Sequence, residues 1–216
     1  MYKLSPSSLG LMKECPRCFW LTQHKVWKRP DSIFPSLPNG MDRILKEHFD
    51  NFMKRGKLPP ELCNDDCDGM KLFDDVEKLK EWRDNKRGIR FTDNEGNILF
   101  GAVDNILVHG KKLIVLDYKT RGYALKEDTH EYYHDQIDIY NFLLVKNGYD
   151  AEDYGFLLFY YPDKVLETGE IIFENKLVKL KVNFKNGENI FAKGLKLLNG
   201  ECPEERCEWC VGVKYG

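Results

Sequence analysis

No apolar run in this chain of 216 residues approaches the roughly 18 that a membrane span requires. The opening Met1-Tyr2-Lys3-Leu4-Ser5-Pro6-Ser7-Ser8 lacks the apolar stretch and cleavage signature of a secretory leader, so a cytoplasmic location without membrane contact is the expectation. An excess of one charge is also missing. The formal net charge is -2 and the pI about 6.2, whereas a protein that coats nucleic acid through bulk electrostatics would be basic. This balance suits an enzyme that releases its substrate better than a static binder. Internal repeats and low-complexity tracts are absent, which argues against repeat arrays and disordered tails. Cysteine is present seven times, an odd count that, in a reducing compartment, argues against a disulfide framework.

The remaining composition, 42% hydrophobic and 31% charged, is ordinary for a globular protein, and the length suits a single domain over 1–216. Ser5 to Ser8 reads as a helix N-cap before an amphipathic segment from Leu9 to about Thr22. A proline-rich loop, Pro30 to Pro38, leads to a helix from about Gly40 to Lys54, and Phe73 to Trp82 suggests a short one. The pattern then changes to strands: Ile89 to Thr92, Ile98 to Val108 and Lys112 to Lys119 read as a three-strand antiparallel meander, separated by Asp93-Asn94-Glu95-Gly96 and His109-Gly110. Thr129 caps a helix running to about Val145 and ended by Asn147-Gly148. A strand, Tyr154 to Tyr161, one or two more between Glu170 and Phe184, and a last helix from Glu188 to Leu198 complete a mixed α/β layer.

Asp104, in Gly101-Ala102-Val103-Asp104, lies 13 residues before Asp117, in Leu116-Asp117-Tyr118-Lys119-Thr120. A carboxylate embedded among Leu113, Ile114, Val115 and Leu116 is costly to bury unless something pairs with it. Asp104 and Asp117 can share one divalent cation, with the Tyr118 backbone carbonyl as a third oxygen. Lys119 shares a strand face with Asp117, because side chains two apart point the same way. It could orient or deprotonate a water there and balance phosphate charge. Mg²⁺ or Mn²⁺ suits such oxygen ligands. Lys111, Lys112, Lys119 and Arg121 read as a basic flank to the carboxylates. On the following helix Gln136 and Tyr140, four apart, share one face.

Gly101 to Asp104, Asp117 to Lys119 and Gln136 to Tyr140, in that order, closely resemble the motifs of the PD-(D/E)XK nuclease superfamily, in its RecB-type branch with the CRISPR-associated adaptation exonucleases. Leu4-Ser5-Pro6-Ser7-Ser8 and Cys15-Pro16-Arg17-Cys18-Phe19 resemble the same branch. The resemblance implies a restriction-endonuclease-like fold, a mixed sheet flanked by helices, with the cysteine-bearing segments 1–22 and 199–216 brought together. It implies metal-dependent hydrolysis of phosphodiesters in DNA by an exonuclease on single strands or ends. Catalytic roles fall to Asp104, Asp117 and Lys119, and substrate positioning to Gln136 and Tyr140. Partners would be DNA and CRISPR adaptation or recombination and repair proteins. One position departs from the pattern: four residues after Gly40, where the branch carries a histidine ligand, stands Ile44. His48, one turn later on the same face, could substitute, with Asp42 and Glu47 as other candidates. That departure keeps a second reading open, a nuclease-fold module that binds DNA or a partner protein with vestigial catalysis.

Cys15-x-x-Cys18 and Cys207-x-x-Cys210 are two chelating pairs from opposite ends of the chain. By resemblance, four of Cys15, Cys18, Cys202, Cys207 and Cys210 hold a 4Fe–4S cluster in preference to Zn²⁺. Finally, His130-Glu131-Tyr132-Tyr133-His134 matches the zinc-protease pattern. A zinc metalloprotease is the remote alternative, since the motif falls at the start of a helix, after Lys126-Glu127-Asp128 and before Asp135, with no third ligand in view.

Overall fold

A computed structural model describes residues 1–30 and 35–214. The chain opens with a two-residue strand, β1 (Lys3–Leu4), and a helix, α1 (Pro6–Glu14). Ser5 and Ser8 close the helix start reciprocally: the Ser8 N–H donates to Ser5 Oγ at 3.3 Å and the Ser5 N–H to Ser8 Oγ at 2.8 Å. The amphipathic segment expected from Leu9 to Thr22 is two helices. Pro16 has no N–H and its ring clashes with the carbonyl four residues back, so α1 ends at Glu14 and α2 (Pro16–Gln23) begins afresh. Cys15 turns extended between them, and its sulfur accepts the Cys18 N–H at 3.4 Å. The next helix, α3 (Ser36–Met53), starts before the expected Gly40 because Pro38 falls in its first turn, where a missing N–H loses nothing. Residues 31–34 of the expected proline-rich loop lie outside the described residues.

The expected meander is divided between two sheets. After β2 (Met70–Leu72) and α4 (Val76–Trp82), strands β3 (Ile89–Thr92) and β4 (Ile98–Gly101) pair antiparallel, with β1 parallel on the other side of β4. Ile98 to Val108 is therefore not one strand. At Val103 the N–H donates to the Trp82 carbonyl, at 3.1 Å, instead of continuing the ladder. The chain then enters a second sheet as β5 (Asn105–His109). That sheet has the order β2-β5-β6-β7-β8, where β6 is Lys112–Thr120, β7 is Tyr154–Val165 and β8 is Ile171–Lys181. All its pairs are antiparallel except β6 with β7, which α5 (His134–Lys146) connects.

Thr129 does not cap α5. It opens a 3₁₀ turn, Thr129–Tyr133, and its hydroxyl accepts the Lys126 N–H behind it at 3.0 Å. The helix ends as expected at Asn147-Gly148, with Gly148 at a φ of 83°. The last helix, α6 (Phe184–Leu198), begins earlier than expected because Asn183 caps it.

Strand β6 explains the placement of everything else. Leu113 and Val115 face α5, with α1, α2 and α6 beyond, in one apolar layer with Ile137, Tyr140, Leu143 and Phe159. Ile114, Leu116 and Tyr118 face α3 on the other side, with Leu45, Phe49, Leu62 and Phe156. A strand covered on both faces reads as a continuous apolar run; each such side chain contributes about 1.5–3 kcal/mol on burial. The α/β core thus has mixed sheets flanked by helices, and it brings the N- and C-terminal cysteine segments together. Among the described residues no helix is long and apolar enough to cross a membrane.

Candidate active site and metal centre

In the β5–β6 hairpin Asn105 pairs with Leu116, so the next step outward places Asp104 opposite Asp117. Asp104 leaves the ladder at a bend, and its Oδ2 accepts the Tyr118 N–H at 2.8 Å. Its position is fixed from behind as well: Arg83 Nε donates to the Asp104 carbonyl at 2.7 Å, while Arg83 Nη1 reaches both oxygens of Asp50, at 2.8 and 2.9 Å. One guanidinium therefore ties α3 and the end of α4 to the strand that carries Asp104.

Asp117 is 1% exposed. Gln136 Nε2 donates to its Oδ1 at 3.3 Å, and the Lys119 ammonium lies against its Oδ2. Burial pushes the Asp117 carboxyl up to about 7, with Lys119 opposing the shift and Asp104 adding to it. Burial works against the charge on Lys119, but Asp117 and Asp104 outweigh it and hold the ammonium above the ordinary lysine range. The Lys119 Nζ also sits 4.9 Å from the centre of the Tyr133 ring. Gln136 Nε2 reaches the Tyr140 hydroxyl at 2.8 Å, and burial raises that hydroxyl well above its usual value. Asp104, Asp117, Lys119, Gln136 and Tyr140 are thus brought into one cluster by the hairpin and α5.

Of the three first-helix candidates, His48, Asp42 and Glu47, the structure brings Asp42 toward Asp104. His48 does not turn to the carboxylate pair; its Nε2 lies 3.1 Å from Glu61, whose Oε1 also accepts the Tyr160 hydroxyl at 2.8 Å. Glu47 pairs with Arg43 on an exposed face. The residues that α3 sends into the site are Asp42 and Lys46. Lys46 Nζ bridges Asp42 at 2.8 Å and Asp104 at 3.0 Å. Burial pushes the Asp42 carboxyl up, against Lys46, and Asp104 adds to that rise. Lys46 went unrecognised in the sequence, although its spacing of four from Asp42 was a usable signal. The Arg83–Asp50 tie had no sequence signal at all.

Lys46 joins Asp42 to Asp104 and Lys119 lies against Asp117, so two lysine ammoniums stand among three carboxylates whose oxygens do not all lie within 4.8 Å of one another. An all-oxygen set of this kind fits a hard divalent cation such as Mg²⁺ or Mn²⁺. Tyr118, whose carbonyl was the expected third oxygen, gives its N–H to Asp104 and packs its ring on Phe49, centroids 4.7 Å apart. The expected basic flank is partly displaced: Lys111 and Lys112 stand at the far end of the hairpin, where Lys112 meets Glu152 at 3.2 Å. Arg121 remains near the site, with Nη1 3.3 Å from the Tyr133 hydroxyl.

Among the terminal cysteines, Cys15, Cys18, Cys207 and Cys210 converge, with all four sulfurs within 4.8 Å of one another. Cys202 lies outside the group, its sulfur 3.8 Å from the Pro203 carbonyl. Burial opposes ionisation of Cys207, but the Cys210 N–H and the Cys18 thiol prevail and bring its pKa down to about 6. A third cluster, His130, Glu131 and His134, also places its ligand atoms within reach of one ion. The segment runs through the 3₁₀ turn into α5, with half-exposed histidines and Glu131 lying between them at 3.1 and 3.4 Å. A zinc protease instead needs both histidines on one regular helix face with the glutamate as a base outside the ligand set, so the protease reading loses its structural basis.

No curated protein matches this chain. The family model of the PD-(D/E)XK nuclease superfamily matches residues 36–212, from the start of α3 past the second cysteine pair, and the chain belongs to that superfamily.

Proposed function

We propose that this protein is a metal-dependent deoxyribonuclease of the RecB-type branch, its residues 1–216 acting as one nuclease domain on single strands or DNA ends. The convergence of Asp104, Asp117, Lys119, Gln136 and Tyr140 in one hydrogen-bonded cluster carries this reading. Asp104 and Asp117 would hold Mg²⁺ or Mn²⁺, with Asp42 replacing the histidine expected on the first helix and the Tyr118 carbonyl as a further oxygen. When bound, the cation supplies Lewis-acid charge for the phosphate and acidifies water.

The chain's own groups do the rest. The Tyr118 N–H and the Gln136 amide fix the two carboxylates, so little rearrangement is left for the reacting state. The Lys119 ammonium orients the attacking water and neutralises charge on the phosphate oxygens as the water oxygen bonds to phosphorus and the bond to the leaving sugar oxygen breaks. The proton that the water loses on bonding to phosphorus passes to solvent, and solvent returns one to the departing sugar oxygen, so the net step adds one water across the P–O bond. The Tyr140 hydroxyl accepts from Gln136, which leaves its own proton for a phosphate oxygen, so this pair positions the strand. Placement in the RecB-type branch, with a cytoplasmic role in CRISPR adaptation or in recombination and repair, rests on the four ordered motifs.

A second reading has its own support. Lys46, bridging Asp42 and Asp104, already neutralises the carboxylates that a cation would need, as in a binding module with vestigial catalysis. Calorimetry with Mn²⁺ separates the two, since a module held by Lys46 takes up no ion at this site. The direct test is cleavage of end-labelled single- and double-stranded DNA with Mn²⁺ or Mg²⁺, beside the Lys119→Ala variant. Cutting lost in the variant upholds the nuclease; equal cutting by both refutes this site.

A further inference from the structure

We propose that Cys15, Cys18, Cys207 and Cys210 hold a single tetrahedral zinc ion that locks the two ends of the chain together, and not the 4Fe–4S cluster that the resemblance implied. The argument is one of size. Zinc binds thiolates at about 2.3 Å, which sets the sulfurs of a tetrahedral site about 3.8 Å apart. The sulfur separations are 3.4 Å for Cys18–Cys207, 3.8 Å for Cys207–Cys210 and 3.9 Å for Cys15–Cys210. A cubane places each thiolate on a different iron, so its four sulfurs stand roughly 6 Å apart. All four here lie within 4.8 Å of one another, a space too small for a cubane.

Ligand identity points the same way. A cluster of one N-terminal and three C-terminal cysteines needs Cys202, which is turned toward Pro203. The group instead takes both members of each Cys-x-x-Cys pair, the ordinary composition of a structural zinc site. The surroundings are built to support it. Pro16 ends α1 and leaves Cys15 as the cap of α2, so the Cys18 N–H points at the Cys15 sulfur, an outer contact that steadies a thiolate ligand. Arg17, between the first two cysteines, is buried and donates to the Pro203 carbonyl at 2.7 Å and the Val213 carbonyl at 3.5 Å, clasping the chain on both sides of the second pair. Arg29 Nη2 lies 3.9 Å from the Cys207 sulfur and offsets part of the negative charge that four thiolates leave around a divalent ion.

The test reads metal, not nuclease activity. The full chain would be produced with added iron and purified anaerobically, then assayed for zinc, iron and acid-labile sulfide. One zinc per chain without iron or sulfide is expected, and Co²⁺ exchanged into the site should give tetrahedral d–d bands with thiolate charge transfer. Cys202→Ser should keep the zinc, whereas Cys15→Ser and Cys207→Ser should lose it. About four irons and four sulfides per chain would overturn the proposal. So would loss of metal in Cys202→Ser, or failure of the wild-type chain to take up zinc or cobalt.

Discussion

The Tyr140 ring lies against the bare backbone of Gly101: a β-carbon there would come within 2.5 Å of Cε1 and 2.8 Å of Cδ1. The glycine of one motif thus exists to admit the tyrosine of another, and a packing contact, not a turn, is what position 101 requires. Gly101→Ala should therefore move the ring or bend the end of β4, at about 1–3 kcal/mol, as overpacking generally does. Urea denaturation would measure it. In a Tyr140→Ala background the added methyl has room, so the penalty should at least halve; an undiminished penalty would show that the strain arises elsewhere.

Lys119 is the most demanding test of the proposed nuclease. Lys119→Met keeps an unbranched aliphatic side chain but removes the ammonium from Asp117 and from the Tyr133 ring. Cleavage in Mn²⁺ should fall by at least about 10²-fold, the scale for losing one preorganised electrostatic group. Circular dichroism should be unchanged. Cutting within tenfold of wild type would remove Lys119 from the chemistry.

Much of this arrangement was legible in the sequence because it rests on short-range periodicity. Asp117 and Lys119 share a face because strands have a period of two, and Gln136 and Tyr140 because helices turn in about 3.6 residues. The split of Ile98 to Val108 between two sheets was not legible. It depends on a hydrogen bond from Val103 to Trp82, 21 residues away in sequence, and apolar periodicity carries no record of such a partner. The choice among His48, Asp42 and Glu47 on the first helix was open in the sequence for a related reason. His48 is chemically the more attractive ligand, but Glu61, itself held by the Tyr160 hydroxyl, engages it, and only the packing of α3 on β6 decides that Asp42 and Lys46 face Asp104.

Lys46 should act as a brake on cation binding. Its ammonium lies between Asp42 and Asp104, so an incoming divalent ion must displace it. Lys46→Met removes that competitor and should tighten Mn²⁺ binding at least tenfold by calorimetry. An unchanged affinity would mean that the ion does not use these two carboxylates.

Arg83 holds Asp104 in place without touching the cluster's side chains. Arg83→Met removes the bond to the Asp104 carbonyl and leaves Asp50 without its partner, at about 1.5–3 kcal/mol for a hydrogen bond to a charged group. Thermal denaturation should register this loss. Because the carboxylate of Asp104 is oriented through its backbone, Mn²⁺ affinity should weaken too; a stability loss with unaltered metal affinity would confine Arg83 to a structural role.

The proposed action on single strands can be tested at two exposed tyrosines. Tyr123 and Tyr132 are 86% and 81% exposed, unusual for tyrosines, and Arg121, two residues before Tyr123 in the chain, is bonded to Tyr133, the neighbour of Tyr132. Exposed aromatic faces beside a guanidinium suit unpaired bases, each stack being worth about 1–3 kcal/mol, whereas bases within a duplex are already stacked. Tyr132→Ala should therefore weaken binding of a labelled single-stranded oligonucleotide by roughly 5- to 150-fold. Anisotropy in Ca²⁺, to suppress cutting, would measure it, and duplex affinity should stay within twofold. An equal loss for both substrates would argue against base stacking and for a backbone contact, and no loss for either would place the nucleic acid on another face of the molecule.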